Sequence, residues 1–392
     1  MKISKRNKYL IFAIFYMYFI MAVFESYRGN FIPFFKEEFN TNNTTIGLIM
    51  IMSTVGTVIG SFIAGQMCEK FGHKLVFIIG TAISTSAIFI TPIISNIYLL
   101  GTFYLIFGIG RSTLSISIDS LVPALSIGFE VILMNLTHFM YGLGSFIGQG
   151  LCGKLLVAGL TWRNIYTYLG IFFIASIIMS LLMKIPNIRV LHDADETKES
   201  DLSDFYNSPT MYYFVFTLAF MLVSESMIST WFINYIRSTY NFDPAKASNY
   251  ASLFFLMYAL GRLLGGFIIN KLNDLRGLKI FLLFEAIFIF LGLILKESGI
   301  VLISFSGFFI SVGFPTLMTI ISKVYKQNSS SAIGYIVTFE NIFFIILFYL
   351  VGVLNDLVGT YYAFFLSPFT LIVAIVGLTL IEKSTNLTRK HN

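Results

Sequence analysis

Charge is what this sequence most lacks. Asp, Glu, Lys and Arg make up 12% of its 392 residues, about half of the roughly 25% that a soluble globular protein carries. Two or three soluble domains of that total length cannot be coated by so few hydrated side chains, which excludes an ordinary soluble protein. Cysteine is equally scarce. The two present, Cys68 and Cys152, fall in a loop and in an apolar stretch, and imply neither a disulfide framework nor a metal site. The 4 His are scattered and form no metal-ligand pair. There is no Gly-x-x-x-x-Gly-Lys-[Ser/Thr] phosphate loop, and no set of nucleophile, base and orienting group suggests itself, so neither an enzyme nor a resident cofactor is expected.

Apolar residues are abundant instead, at 56% of the chain, with a mean hydropathy of +0.81. They fall in runs of roughly 18 to 25, each long enough to cross a bilayer core about 30 Å thick. The runs predict twelve helical spans, near 9–32, 44–67, 75–95, 97–122, 130–157 and 162–185, then near 209–236, 246–270, 279–295, 300–323, 331–354 and 360–381. The expected fold is all-α: a polytopic membrane protein of twelve transmembrane helices in two pseudo-symmetric six-helix halves.

The net charge of +6 does not point to nucleic acid, because the basic residues follow the spans. Of 26 Lys and Arg, only Lys36, Lys154, Arg163, Arg237, Lys246 and Lys296 adjoin outer ends, while Arg28, Arg111 and Arg262 lie inside spans. The remainder fall on the side of the N-terminus, which places both termini in the cytoplasm. Met1–Lys8 and the apolar run after it look like a signal peptide, but without a small-residue cleavage site the expectation is a retained first helix. The longest polar stretch, Pro186–Ser208, holds Asp193, Asp195, Glu196, Glu199, Asp201 and Asp204. It divides the chain into an N-terminal half over 1–185, a solvated linker over 186–208 and a C-terminal half over 209–392.

The halves carry an internal repeat. A shift of 200 residues brings Met21, Val23, Glu25 and Ser26 onto Met221, Val223, Glu225 and Ser226. A shift of 205 brings Gly56, Gly60, Phe62, Ile63, Glu69, Gly72 and Lys74 onto Gly261, Gly265, Phe267, Ile268, Asp274, Gly277 and Lys279. Repeats six spans apart keep the same orientation, which is the parallel two-half plan of a transporter.

The inner loop Gly65-Gln-Met-Cys-Glu69-Lys70-Phe-Gly72-His73-Lys74 resembles the major facilitator superfamily motif G-x-x-x-D-R-x-G-R-K, departing conservatively at Glu69, Lys70 and His73. Its repeat, Asp274-Leu-Arg276-Gly277-Leu-Lys279, keeps the acid, glycine and last lysine and has Asn270 in place of the first glycine. Glycine there suits a tight turn, and the acid suits a helix cap or a pair with a base. Finer islands resemble the fucose–galactose–glucose permease branch: Asn135-Leu-Thr-His138-Phe-Met-Tyr141-Gly142-Leu-Gly144, Thr161-Trp162-Arg163, Glu225…Trp231, Gly261-Arg262, Gly313-Phe-Pro315-Thr316 and Glu340-Asn341. That branch tends to carry a carboxylate and an asparagine in span four, where this chain has Ser115. The resemblance implies a proton-coupled symporter of a small, sugar-like solute.

An ionisable group at membrane depth needs a reason to be there. Glu25 and Glu225 each lie about 23–24 Å along their helices from the inner face, at matching depth in the two halves, and are the candidate proton-coupling pair. Glu25 has Arg28 three residues on as a structural partner, whereas Glu225 has no basic residue within a helical turn. Asn135 and His138 share one face of span five and offer donors and acceptors suited to hydroxyls, or else interhelical hydrogen bonds. Arg111 could hold an anionic substrate or neutralise a carboxylate such as Glu340. Glu340 and Asn341 are adjacent and point about 100° apart, so one of them would face a substrate. Glu69, Lys70, Gly72, Arg262, Asp274, Arg276 and Gly277, with Asp119, belong to an expected cytoplasmic gate. Glu285 is expected to face an interhelical contact or water, and Trp231 to anchor at the outer interface or, as the second reading, to stack against a sugar ring.

Three functions remain open on these residues: a proton-coupled importer of a small polar solute, a proton-driven exporter of amphiphiles, and a non-transporting membrane receptor. The expected partners are a small-molecule substrate, protons and the bilayer, with the chain acting as a monomer.

Overall fold

In a computed structural model of the protein, residues 5–125, 130–183, 208–325 and 329–385 are described. The predicted linker over 186–208 lies outside them apart from Ser208. The described residues form helices and no strand. The first six are α1 (Lys5–Glu38), α2 (Asn43–Phe71), α3 (His73–Ile90), α4 (Ile97–Leu125), α5 (Glu130–Val157) and α6 (Trp162–Leu182). The second six are α7 over Pro209–Tyr240, α8 (Pro244–Leu272), α9 (Asp274–Ile294), α10 over Lys296–Val324, α11 (Ser329–Leu357) and α12 over Thr360–Thr385. Among the described residues eleven helices are long and apolar enough to cross a membrane. The twelfth, α5, has the length at 28 residues, and the side chains of its first turn lie outside those described.

Local chemistry sets the helix ends. Asn42 caps α2 by accepting from the Thr45 N–H at 2.9 Å. Thr161 and Asn164 form a reciprocal capping box at the start of α6, satisfying donors that the first helical turn leaves open. Gly72, at φ 80°, turns the chain between α2 and α3, a backbone region that glycine enters without cost. The second copy is built differently. There Asn273 takes the positive φ of 71° and caps α9 through the Leu275 N–H, while Gly277 lies inside α9 against the Ile269 backbone. The expectation that Gly277 supplies the second turn is therefore corrected: its missing side chain allows a close helix approach.

Contacts divide the chain into two compact units, Met1–Leu191 with Asn241–Ser252, and His192–Tyr240 with Leu253–Asn392. The start of α8 falls in the first unit because Ser248 donates to Asn30, which itself donates to Gln149, and because Gly153 leaves room for Ser248. In that unit α2 and α4 meet backbone to backbone. A Cβ on Gly56 would lie 2.0 Å from the Leu105 carbonyl oxygen, one on Gly60 2.5 Å from that of Ile109, and one on Gly108 2.2 Å from that of Ser53. The second unit repeats the device between α8 and α10. A Cβ on Gly261 would lie 2.2 Å from the Phe308 carbonyl oxygen, and one on Gly265 2.8 Å from Val312. The glycines matched by the 205-residue shift thus do one job twice, as small residues do where membrane helices pack closely.

Two helices of the second unit are irregular. A π-helical turn, Met227–Trp231, interrupts α7. The α10 span is broken into short pieces, with Pro315 in the first turn of the last one, Gly313–Val324, where its missing N–H costs nothing. Trp231 is 0% exposed and packs near Phe348. The expected interfacial anchor is therefore corrected to a core side chain, turned inward on the π-helical segment.

Gly56→Leu should abolish recovery of folded protein or lower its melting temperature sharply, since the added side chain meets backbone that cannot rotate away; overpacking of this kind costs about 1–3 kcal/mol or more. Gly65→Leu, where nothing lies within 4 Å, should melt as the parent does. Size-exclusion profiles and thermal melts in detergent check both, and a well-folded Gly56→Leu protein would contradict the packing described.

Candidate functional site

In the first unit the site is built around Glu25 on α1. Its Oε1 lies 3.2 Å from Arg28 Nη2 on the same helix and 3.2 Å from Arg111 Nε on α4. The first contact is an aligned hydrogen bond; the second is an ion pair without that alignment. Tyr141, on α5, donates its hydroxyl to the other oxygen of Glu25. Arg111 is steadied by donating from Nη2 to Thr57 Oγ1 on α2, at 3.0 Å, and Arg28 lies over the Tyr104 ring at 5.7 Å. One carboxylate thus holds four helices together through two guanidiniums, a phenol and a hydroxyl.

A second polar group lies along α1, seven residues or about 10 Å nearer the N-terminus. Tyr18 donates to Asp119 at 2.5 Å and shares a 2.9 Å hydrogen bond with Ser115. The His138 ring stands edge-on to Tyr18, centroids 5.8 Å apart. Asp119, Ser115 and His138, from α4 and α5, therefore meet around one tyrosine. Asn135 is one turn before His138 on α5, and its side chain lies outside those described.

In the second unit Glu225 is reached from α8. Tyr258 donates to Glu225 Oε1 at 2.9 Å and accepts from Arg262 Nη2 at 2.6 Å, with the guanidinium 4.8 Å from the Tyr258 ring centre. The carboxylate that lacked a nearby base along its own helix has one across the unit, relayed by a phenol. The matched carboxylates thus find their arginines from different helices. Shifted by 205, Thr57 becomes Arg262, so the position that merely supports Arg111 in the first half carries the cation itself in the second.

The remaining candidates are placed as follows. Glu340, on α11, is 2% exposed and has no hydrogen bond or ion pair among the described residues. Asn341 donates to the Val337 carbonyl of its own helix at 2.7 Å. Arg111 pairs with Glu25, a carboxylate that the sequence does not single out for it. At the inner loops Asp274 pairs with Lys323 of α10, Lys279 pairs with Glu382 of α12 at 2.6 Å, and Lys70 and Arg276 are exposed. The Glu69 side chain lies outside those described. Glu285, expected at a contact or in water, is 0% exposed on α9 and accepts from Ser224 at 3.3 Å. Sequence reasoning missed the tyrosines Tyr18, Tyr141 and Tyr258. Spacing marks Tyr258, one turn before Arg262, but nothing local separates these three from the other phenols of a chain holding 21 Tyr.

These arrangements are polar groups held inside apolar helices, able to exchange a proton or to grip hydroxyls. The sequence profile of the Major Facilitator Superfamily matches residues 14–231 and again 214–391. The chain is 24% identical to Multidrug resistance protein 2 of Bacillus subtilis over 380 residues, 90% of this chain and 89% of that one. It is 22% identical to a provisionally named glucose/galactose transporter of Helicobacter pylori over 342 residues, 82% of this chain and 83% of that one. The solved fucose:proton symporter of E. coli superposes with a TM-score of 0.64 at 16% identity, over 96% of this chain and 99% of that one. With the superfamily's profile matched twice across nearly the whole chain, and with apolar helices long enough to span, the protein belongs to the Major Facilitator Superfamily and is a multi-pass membrane transporter rather than an enzyme.

Proposed function

We propose that the protein moves a small, sugar-like polar solute across the cell membrane by proton-coupled alternating access, as a monomer with both termini in the cytoplasm. The observation that carries this reading is the register-matched pair Glu25 and Glu225, each partly buried in a span, Glu25 held by Tyr141 and Arg111 and Glu225 by Tyr258 with Arg262 behind it. A carboxylate in such a place changes the charge of its unit when it gains or loses a proton, and a ligand that binds two states unequally biases the equilibrium between them. In the first unit Arg111, His138 and Tyr141, together with Asn135, supply donors and acceptors for hydroxyls. The names of the Helicobacter relative and of the E. coli symporter favour a sugar. A second reading, proton-driven export of amphiphiles, is favoured by the Bacillus relative, which covers more of the chain. The test is proton movement in proteoliposomes across a panel of sugars, nucleosides, organic acids and cationic drugs. Protons entering with a sugar support the first reading, and protons moving against a cationic drug support the second.

Glu225→Gln keeps an acceptor for Tyr258 but removes the exchangeable charge. It should retain binding and solute exchange between equal pools while losing most uphill, pH-driven accumulation; Glu25→Gln should do the same or less. Accumulation with unchanged pH dependence in Glu225→Gln would assign coupling elsewhere, with Asp119 or Glu340 next in line.

The inner loops serve as gate elements. Gly72→Val, forced into a positive-φ turn, should slow transport with nearly unchanged affinity, and Gly277→Val, against Ile269, should do likewise. A large loss of affinity at normal turnover, measured by equilibrium binding beside uptake, would contradict that role. For the topology, a cysteine placed within 193–204 should resist an impermeant thiol reagent applied outside intact cells and react after permeabilisation.

A further inference from the structure

We propose that Glu285 is a second proton-binding site of the C-terminal unit, electrostatically coupled to Glu225, so that the two carboxyls share one negative charge. Glu285 sits eleven residues into α9, about 16 Å from its inner end, and is 0% exposed. Its Oε1 accepts from Ser224 of α7 at 3.3 Å, and its Oε2 is buried with no hydrogen-bond partner. No ion pair reaches it among the described residues. A buried carboxylate left in that condition is costly by several kcal/mol, whereas a neutral carboxyl gains a donor of its own and can return a hydrogen bond to Ser224.

The surroundings point the same way. Ser224 shares a 2.7 Å hydrogen bond with Ser367 of α12, so the contact of Glu285 is a chain of hydroxyls that can reverse its donors. Glu225 follows Ser224 directly, so the hydroxyl that meets Glu285 belongs to the residue beside Glu225 on α7. The other charged groups on the elements against α9 belong to its ends. Lys279 and Glu382 pair near the inner end, as do Asp274 and Lys323; Arg276 and Lys383 also lie there, while Arg237, in the last turn of α7, and Lys296 and Glu297 lie at the outer end. Arg262 reaches Glu225 through Tyr258, which accepts from the guanidinium and donates to that carboxylate. Ser224 thus ties Glu285 to the residue beside Glu225, and among the described residues the guanidinium that reaches this group is that of Arg262, through Tyr258, the condition under which protons leave a pair in two coupled steps. In chemical terms, Glu285 holds an O–H bond while Glu225 is ionised, and a proton arriving at Glu225 removes the charge that opposes ionisation of Glu285.

This deepens the proton-coupled reading, but its first test needs no transport. Infrared spectra of the full protein in lipid vesicles, recorded across pH, should show a protonated carboxyl band near neutral pH that is lost in Glu285→Gln. In Glu225→Gln the titration of that band should move by about one pH unit, the scale of coupling between interacting sites. Ser224→Ala leaves every carboxyl in place and should shift the band's frequency, which keeps the test available if Glu285→Gln does not fold. A band that persists unchanged in Glu285→Gln, or that Ser224→Ala fails to shift, overturns the site. A band whose titration ignores Glu225→Gln overturns the coupling and leaves Glu285 a structural acid. Failure of proton-coupled transport with every solute would remove the functional reading while leaving the spectra to decide this one.

Discussion

A carboxylate inside an apolar span must be answered by a donor or a cation from another helix, because hydrocarbon offers no water to hydrate it. The polar organisation of both units follows from that requirement. Glu25 draws Arg111 from α4 and Tyr141 from α5, and Arg111 in turn draws Thr57 from α2. Glu225 draws Tyr258, and through it Arg262, from α8. Glu25 therefore ties α1 to three other helices and Glu225 ties α7 to α8, and removing one partner from such a set exposes the others; a broken buried pair costs about 3–5 kcal/mol. The same requirement makes the bare oxygen of Glu285 stand out, and with it Glu340, which has no partner among the described residues.

The two halves share a scaffold and differ in their chemistry. Gly56 and Gly60 in one and Gly261 in the other bring a helix pair to backbone contact, while Gly265 makes room for the Val312 and Phe281 side chains, and this part of the repeat is nearly exact because an added side chain there would part the helices. The cations do not repeat. Arg111 pairs from α4 in the first unit and Arg262 from α8 in the second, at the position that is Thr57 in the first. Packing tolerates no drift at a backbone contact, whereas a long guanidinium side chain can reach one carboxylate from more than one helix. The sets of groups around the two acids have diverged accordingly.

A comparable divergence separates the inner loops. Gly72 supplies the positive-φ turn between α2 and α3, and Asn273 supplies it between α8 and α9, where Gly277 relieves the packing on Ile269 instead. One motif therefore covers two local solutions, each of which leaves the following helix with a workable first turn.

By itself the sequence determined the class of the protein, the number of its spans, the division into halves and the register between them. Those properties rest on local composition: run length sets how much bilayer a helix can cross, and glycine spacing marks where helices can touch. The candidate acids were legible for the same reason, since Glu25, Glu225 and Glu340 are conspicuous in apolar runs. Only the tertiary structure decided what each of them meets. Arg111 could have served a substrate or Glu340, Glu225 had no base within a turn of its own helix, Glu285 could have faced water, and Trp231 could have faced the interface. A partner one helix away is separated by tens to more than a hundred residues of chain, and no periodicity records which face of one span turns towards which face of another. The three tyrosines that complete the polar groups were hidden for that reason: a phenol is unremarkable among apolar neighbours until packing places a carboxylate beside it.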